Sequence, residues 1–392
     1  MSRASHNPYR VLHIITTLEL GGAPAVVLDL LRHLKACQDL ELRLCVLGSA
    51  NPFYADAPMP TQVVYLDYGL ALGHLADTCR CVRRLCRVID QFTPDIVHTH
   101  LWLADMVGGL ALIGRALPHV SHQHGSSSGL ARRTYRAFLK RYLTRAVFSA
   151  TGAFFIPVAV AVQEHIWSTF KMSNVPCRVI FNGVDTEHFT TADPPPAMLA
   201  TDKILIGAAG RMVEGKGFDK LIEAAGMLRK HGVCFELRLA GTGPFQPRLI
   251  QQSDYLGLSR QVSFLGSVKD MRDFYHPLHV FVLPSEESEG LSICMLEAMA
   301  MGKALVVTRT GGTGEVIQTG VDGVVVPPGE ARALADAIEA LARNPSQRHE
   351  MGVRARKKVQ ARFTVQRMAE EVAFVYRELA MGHSMASGEG LP

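Results

Sequence analysis

The stretch Pro284–Val307, PSEESEGLSICMLEAMAMGKALVV, sets Glu286, Glu287 and Glu289 among serines, then Gly290, an apolar segment and a fourth acid, Glu297. Glu289 and Glu297 lie about two helical turns apart at roughly 3.6 residues per turn. Carboxylates accept hydrogen bonds from hydroxyls, and a helix N-terminus offers N–H groups to an anion. Side by side they suit a ligand that carries both sugar hydroxyls and phosphate. Two carboxylates equally suit glycoside hydrolysis, and on these residues alone both readings stay open. The run AMAMG after Glu297 is small and apolar, which reads as a helix buried almost all round. A carboxylate placed there needs partners or drifts toward neutrality.

A second set of chemistry-bearing residues lies in Gly210–Gly217, GRMVEGKG. Arg211 and Lys216 flank a turn between an apolar run and a helical pattern, and Gly210, Gly215 and Gly217 give the backbone room. Two cations above a helix N-terminus form a phosphate clamp that needs no magnesium. The plainer reading is a solvated loop with incidental charge. Gly311–Glu315, GGTGE, reads as a tight architectural turn with an acid near a helix start.

DIVHTH (95–100) and HVSHQH (119–124) each place histidines at period two, so His98 and His100 share one strand face, as do His122 and His124. Two histidines on one strand cannot both reach a single ion without a third ligand from elsewhere, and no acid is placed beside them. No metal is therefore assigned. The preferred reading is neutral histidine at a strand end, pointing into a cleft.

At 392 residues the chain is too long for one ordinary core, and two domains follow. Hydrophobic residues at 48% and charged residues at 20% describe a globular chain and exclude general disorder. A formal charge of +5 permits a phosphorylated ligand or an acidic surface, and no nucleic-acid partner is expected. The eight cysteines show no Cys-x-x-Cys spacing, the N-terminus shows no cleavable signal, and no apolar run approaches the roughly 20 residues of a membrane span. Reduced thiols and a cytoplasmic location are expected, with any membrane contact peripheral.

The positioning elements alternate. Strands are expected at 10–17, 40–47, 61–66, 95–100, 119–124, 153–157 and 178–181, with helices at 25–34, 76–92, 104–115, 131–146 and 161–170. Thr191–Ala200, TADPPPAMLA, reads as a linker, because three prolines continue neither helix nor central strand. Beyond it come strands at 203–208, 234–240, 262–266, 280–284, 304–308 and 323–326. Helices are expected at 218–231, 246–257, 270–276, 291–302 and 331–343, and one long helical pattern over 348–379. This describes an α/β protein of two Rossmann-like, doubly wound domains facing a cleft, 1–188 and 189–362, with 363–392 a C-terminal helix packing back on the first domain and a tail. The helix at 131–146, ARRTYRAFLKRYLTRA, carries Arg132, Arg133, Arg136, Lys140, Arg141 and Arg145 without an acid. It alternates them with Tyr135, Phe138, Leu139, Tyr142 and Leu143. Either those apolar residues pack on the core, or the helix meets anionic lipid or a phosphorylated acceptor.

Taken in order, these segments resemble the retaining nucleotide-sugar glycosyltransferases of family 4 (glycosyl transferases group 1), whose fold is GT-B. Gly21-Gly22-Ala23, PDIVHTH, QHG and FNGVD look like the family's first half. GRMVEGKGFDKLIEA, AGTGP, PSEESEGLSICMLEAMAMG and TGGTGEVIQTGVDGVVVPPG look like its donor-binding half. The resemblance implies that Arg211 and Lys216 bind the donor diphosphate, Glu289 the sugar hydroxyls and Glu297 the ribose hydroxyls. It places the backbone of Gly290, Leu291 and Ser292 against sugar and diphosphate, His124 near the transferred sugar, and Gly22 against the diphosphate. It implies a hexosyltransferase of polysaccharide, lipopolysaccharide or glycolipid synthesis, with a nucleotide sugar as co-substrate, no further cofactor, and a glycan or lipid-linked acceptor. Leu291 and Ser292 stand where many members have an aromatic and a glycine, and Gly314 replaces a frequent proline, so sugar fit does not carry over. A related hydrolase or phosphorylase and a non-catalytic carbohydrate- or nucleotide-binding paralogue are the alternatives.

Overall fold

The computed structural model describes residues 8–19, 21–50, 59–69, 75–125, 134–172, 175–190, 203–287 and 289–382. The expected linker 191–200 and Arg132 and Arg133 lie outside them. The chain forms two units, residues 1–182 with 365–392, and residues 183–364.

The first unit holds a six-stranded parallel sheet: β1 (Tyr9–Ile15), β2 (Leu40–Val46), β3 (Gln62–Tyr65), β4 (Ile96–His100), β5 (His119–Gln123) and β6 (Phe154–Pro157). The strand order is β3-β2-β1-β4-β5-β6. Strands of such a sheet are covered on both faces, which is why their apolar runs are continuous rather than alternating. All five residues of β4 are buried, histidines included. Helices α1 (Gly22–Leu34), α2 (Leu75–Phe92), α3 (Trp102–Leu112) and α4 (Tyr135–Thr151) lie in connections between its strands, and α5 (Val160–Phe170) follows β6.

Three expectations change here. Arg178–Phe181 is not a strand: the segment runs beside β6, with Arg178 N–H donating to Phe155 O and Ile180 N–H to Pro157 O, but only Cys177 forms a bridge. Pro176 interrupts the donor row just before it. The long terminal helix is two, α12 (Pro345–Arg362) and α13 (Val365–Ala380). Phe363 leaves helical backbone at φ −130°, ψ 40°, and Thr364 pairs with Val184 instead. The break separates α12, which belongs to the second unit, from α13, which completes the first. There α13 packs on α1, and Arg377 grips the Asp39 carboxylate at 2.7 and 3.0 Å. The third change is α4, which Thr134 caps and which runs on to Thr151 rather than stopping at 146.

The second unit repeats the plan with β7 (Ile204–Ala209), β8 (Phe235–Ala240), β9 (Val262–Gly266), β10 (Val280–Leu283), β11 (Ala304–Thr308) and β12 (Val324–Val326). Its order, β12-β11-β10-β7-β8-β9, is the first sheet's order read from the other edge. Its helices are α6 (Phe218–Lys230), α7 (Gln246–Tyr255), α8 (Met271–Tyr275), α9 (Ile293–Ala300), α10 (Thr313–Val316), α11 (Ala331–Arg343) and α12. Ile206, Ala208, Leu237, Leu239, Val282 and Val306 of the strands join Leu221, Ile222, Leu334 and Ile338 of the helices in one core.

Each sheet reverses its winding once, between β1 and β4 in the first and between β7 and β10 in the second. Open α/β sheets bind ligands beyond the carboxyl ends of the strands at that point. Gly22 follows β1. Arg211 and Lys216 follow β7, and Glu289–Ser292 follow β10. Topology alone sends these segments to the ligand-binding ends.

Candidate functional site

In the second unit the loops after β7 and β10 are fastened together. Gly215 O accepts the N–H groups of Glu286 and Glu287 at 2.8 and 3.1 Å. Gly217, at φ +69°, caps the start of α6, and a Cβ there would stand 1.9 Å from Pro284 O. Only glycine permits that approach. This contact brings Lys216 to Glu289: its ammonium donates to Oε1 at 2.5 Å, with the side chains 32% and 15% exposed. Ser285 Oγ donates to the same oxygen. Ser285 is buried, and its carbonyl accepts from Thr308 Oγ1 on β11 at 2.5 Å.

The turn 311–315 braces this arrangement from the other side. Gly311, at φ +49°, lies so close to Glu289 that a Cβ would come within 1.5 Å of its carbonyl oxygen. Gly312 N–H donates to Gly290 O at 2.8 Å. The turn is architectural, as expected, and what it supports is the backbone of Glu289 and Gly290.

Leu291 is buried, and Ser292 caps α9 by accepting from Met295 N–H at 3.4 Å. The first amides of a helix have no intrahelical acceptor, so α9 starts with donors beside Glu289. Because α9 begins at Ile293, Glu289 lies before it and Glu297 within it; the two acids do not share a helix. Nor is α9 buried all round. Met295, Leu296, Ala298, Met299 and Ala300 are buried while Glu297 is half-buried. Its carboxylate accepts from Tyr275 O–H at 2.7 Å, and burial raises the phenol pKa well above its usual value, so Tyr275 stays a donor. Arg211 opens the loop and is exposed.

The first unit gathers a different set. Gly22 is exposed at the start of α1. His124 follows β5 and is half-buried, its Nε2 3.1 Å from His100 Nδ1. Burial pushes His124 down to about 4 and His13 to about 3, and holds His98, His100 and His122 well below the usual histidine value. These rings are neutral at pH 7. On the opposite face Asp105 of α3 accepts from Thr99 (2.6 Å), Ser121 (2.7 Å) and Gln123 (2.9 Å), and burial raises its carboxyl to about 6. Sequence reasoning missed Asp105, Tyr275 and the fastening role of Ser285. Tyr275 and Glu297 are 22 residues apart and meet only through tertiary packing.

Helix α4 shows a face that amphipathic periodicity had left ambiguous. It packs through Ala137, Thr144, Val147 and Phe148, with Thr144 accepting from Trp102 Nε1 at 2.9 Å. Tyr135, Phe138, Leu139, Tyr142 and Leu143 are exposed, at 79%, 59%, 44%, 64% and 47%.

Two sheets of one Rossmann order, with a cation–carboxylate cluster at the switch point of the second, define an α/β protein of GT-B type. Solved structures agree on the fold. Sucrose-phosphate synthase from Thermosynechococcus elongatus superposes with a TM-score of 0.82 at 20% identity, over 95% of this chain and 100% of that one. HepE from Anabaena, in complex with UDP-glucose, gives 0.80 at 19% identity over 94% and 99%. Two family models divide the chain between them: Glycosyltransferase Family 4 over residues 20–188 and Glycosyl transferases group 1 over 190–358. The chain belongs to these glycosyltransferases. Among relatives, the capsular polysaccharide biosynthesis glycosyltransferase CapM of Staphylococcus aureus is 31% identical over 45% of this chain and 47% of its own length. The alpha-maltose-1-phosphate synthase of Mycolicibacterium smegmatis is 26% identical over 92% and 96%. Among the described residues no helix is long and apolar enough to cross a membrane.

Proposed function

We propose that the protein moves a hexosyl group from a nucleotide sugar to a hydroxyl of a glycan or lipid-linked acceptor, with retention of anomeric configuration. The product belongs to a cell-surface polysaccharide, lipopolysaccharide or glycolipid. One observation carries the reading: Lys216 is held against Glu289 at 2.5 Å, at the ligand-binding end of the second sheet and beside the first amides of α9. A cation and amide donors meet a diphosphate, and a carboxylate meets sugar hydroxyls. CapM's polysaccharide role and HepE's UDP-glucose complex support the same substrate classes.

In the reaction the bond from the anomeric carbon to the departing diphosphate oxygen breaks. The acceptor oxygen bonds to that carbon on the same face, and its proton passes to the departing phosphate. Negative charge grows on the diphosphate, where Arg211, Lys216 and the α9 amides stabilise it without a further cofactor. Glu289 orients the sugar through its hydroxyls. Glu297, held by Tyr275, takes the ribose hydroxyls, while the Gly290–Ser292 backbone lies along sugar and diphosphate. Gly22 gives the diphosphate a close backbone approach, and His124 offers a neutral imidazole to the transferred sugar.

The exposed face of α4 suits a peripheral seat on anionic lipid at the inner side of the membrane. Aromatic and leucine side chains would enter the headgroup boundary, with Arg136, Lys140, Arg141 and Arg145 around them. Phe138→Ser with Tyr142→Ser should abolish cosedimentation with phosphatidylglycerol vesicles; unchanged binding refutes this seat. For the reaction, a thermal-shift screen of nucleotide sugars identifies the donor, since binding raises stability by mass action. The product's anomeric coupling in proton NMR then reads the stereochemistry. Inversion refutes the same-face path, hydrolysis with every acceptor extract favours a hydrolase, and donor binding without turnover favours a non-catalytic paralogue.

A further inference from the structure

Register assembles an unusual cluster on one face of the first sheet. His13 of β1 lies opposite His98 of β4, and His100 of β4 lies opposite His122 of β5. With His124 the five rings sit side by side; His122 and His124 stack at 4.4 Å between centroids. Four of them form a hydrogen-bonded line that passes through Tyr376 of α13. It runs His124 Nε2–His100 Nδ1 (3.1 Å), His100 Nε2–His13 Nδ1 (3.0 Å), His13 Nε2–Tyr376 OH (3.2 Å) and Tyr376 OH–His98 Nδ1 (2.5 Å).

His122 stands outside that line. Fully buried, it has no hydrogen-bond partner for either ring nitrogen among the described residues, and His124 Nδ1 and His98 Nε2 also lack one. A buried polar group without a partner loses its hydration and gains nothing in return. Such an atom in a folded protein points to something that completes it, a water or an ion. One ring nitrogen each from His100, His122 and His124 fall within 4.8 Å of one another.

We propose that His100, His122 and His124 bind a divalent transition-metal ion, for which Zn²⁺ is the best-matched probe. Imidazole donors suit zinc, copper, iron and nickel rather than magnesium or calcium. At a Zn–N distance of about 2.0–2.1 Å, tetrahedral ligand atoms stand about 3.3–3.4 Å apart. His100 Nδ1 and His124 Nε2, at 3.1 Å, already have nearly that separation, and His122, with a ring nitrogen within 4.8 Å of both partners, has to move inward to complete the set. A water completes the fourth position from the half-buried side of His124.

The line into α13 supplies the outer support. With Nδ1 on the ion, His100 carries its proton on Nε2 and donates to His13 Nδ1. His13 then donates from Nε2 to the Tyr376 oxygen, whose O–H donates to His98 Nδ1. Metal-bound histidines are oriented by such a bond from the second nitrogen. The proton shared between His100 Nδ1 and His124 Nε2 moves to His124 Nδ1, so all rings stay neutral. The third ligand that a single strand cannot provide comes from the neighbouring strand.

The test uses the full, untagged chain, stripped with a chelator and dialysed against zinc chloride. One ion per chain with micromolar or tighter affinity is expected. His122→Gln should weaken it by at least about tenfold, the scale set by loss of outer-shell partners alone. His349→Gln, at an exposed site, should change nothing. Cobalt(II) should give visible bands of a tetrahedral site without a thiolate charge-transfer band. No micromolar binding, as when a water completes His122, overturns the proposal, as does equal binding by His122→Gln or a thiolate band. Should His122→Gln fail to fold, the wild-type stoichiometry and cobalt spectrum decide alone.

Discussion

Removing the Lys216 ammonium separates catalytic from structural roles, because the two carry different magnitudes. Its partner Glu289 is 15% exposed and Lys216 itself 32%, so their ion pair is partly screened. Pairs of this kind contribute roughly 0–1 kcal/mol to stability. Glu289 also keeps the Ser285 hydroxyl when the ammonium goes. For a domain of 150–250 residues, each kcal/mol moves the melting temperature by about 2–4 °C. Loss of one donor to a developing negative charge, by contrast, costs about 10²–10³ in turnover, equivalent to roughly 2.7–4 kcal/mol. Lys216→Ala should therefore melt within a few degrees of wild type while kcat for transfer falls by two to three orders of magnitude. Lys216→Met, which keeps the apolar stem, should match Ala in kcat and recover the small loss in stability. The assay is initial-rate release of nucleoside diphosphate with the donor found by thermal shift, beside melting curves of all three proteins. Turnover of Lys216→Ala within about tenfold of wild type would remove the charge-stabilising role, since one such donor accounts for at least 10².

Gly311→Ala puts a Cβ 1.5 Å from Glu289 O at φ +49°, so activity should fall together with melting temperature; an unperturbed variant would show that the turn does not brace Glu289. Tyr275→Phe removes the donor to Glu297 and should cost about 1 kcal/mol of stability. It should also raise the donor Kd with little change in kcat; a kcat loss with unchanged Kd, read by calorimetry and initial rates, contradicts the ribose role. Acid should unfold the first unit. His13, His98, His100, His119, His122 and His124 all have pKa values lowered by burial, so the unfolded chain takes protons that the folded one refuses. Their contribution is whole above the unfolded value near pH 6.5 and is lost as pH falls toward 4, at about 1.4 kcal/mol per pH unit for each ring. Asp105, raised to about 6, opposes this with a single proton. A melting temperature that stays flat from pH 6.5 to 5 would refute the neutral cluster.

How much of this could be read from the chain depends on the range of the interaction. Buried parallel strands write themselves as continuous apolar runs, so KILIGA and ALVVT were legible as β7 and β11 with ends shifted by a residue at most. RVIF at 178–181 has the same composition but lacks a full ladder, a tertiary fact that composition does not encode. That Arg211, Lys216 and Glu289 lie in segments following strands, and Glu297 in the next helix, was legible because loop glycines and helix starts announce where strands end. Their partners were not: Lys216 meets Glu289 across 73 residues, and Tyr275 approaches Glu297 from a different helix. The apolar positions of α4 were legible as a periodic set, yet periodicity says only that they share a face. The face that packs is the one with Ala137, Thr144, Val147 and Phe148, and the aromatic side faces outward.

The histidines show the same boundary from the other side. HTH and HQH are each a pair at period two, and a pair on one strand cannot surround an ion. Placing the strands in parallel register, with His100 opposite His122 and His13 opposite His98, turns two pairs and one distant ring into a ladder of five. A shift of one residue would send His13 in the first pairing, or His122 and His124 in the second, to the Asp105 face. The cluster is therefore a property of register. Once it is set, the objection to a metal ligand set drawn from one strand no longer applies, because the third imidazole arrives from next door. The unpartnered nitrogens of His122 then become the most informative atoms in the first unit.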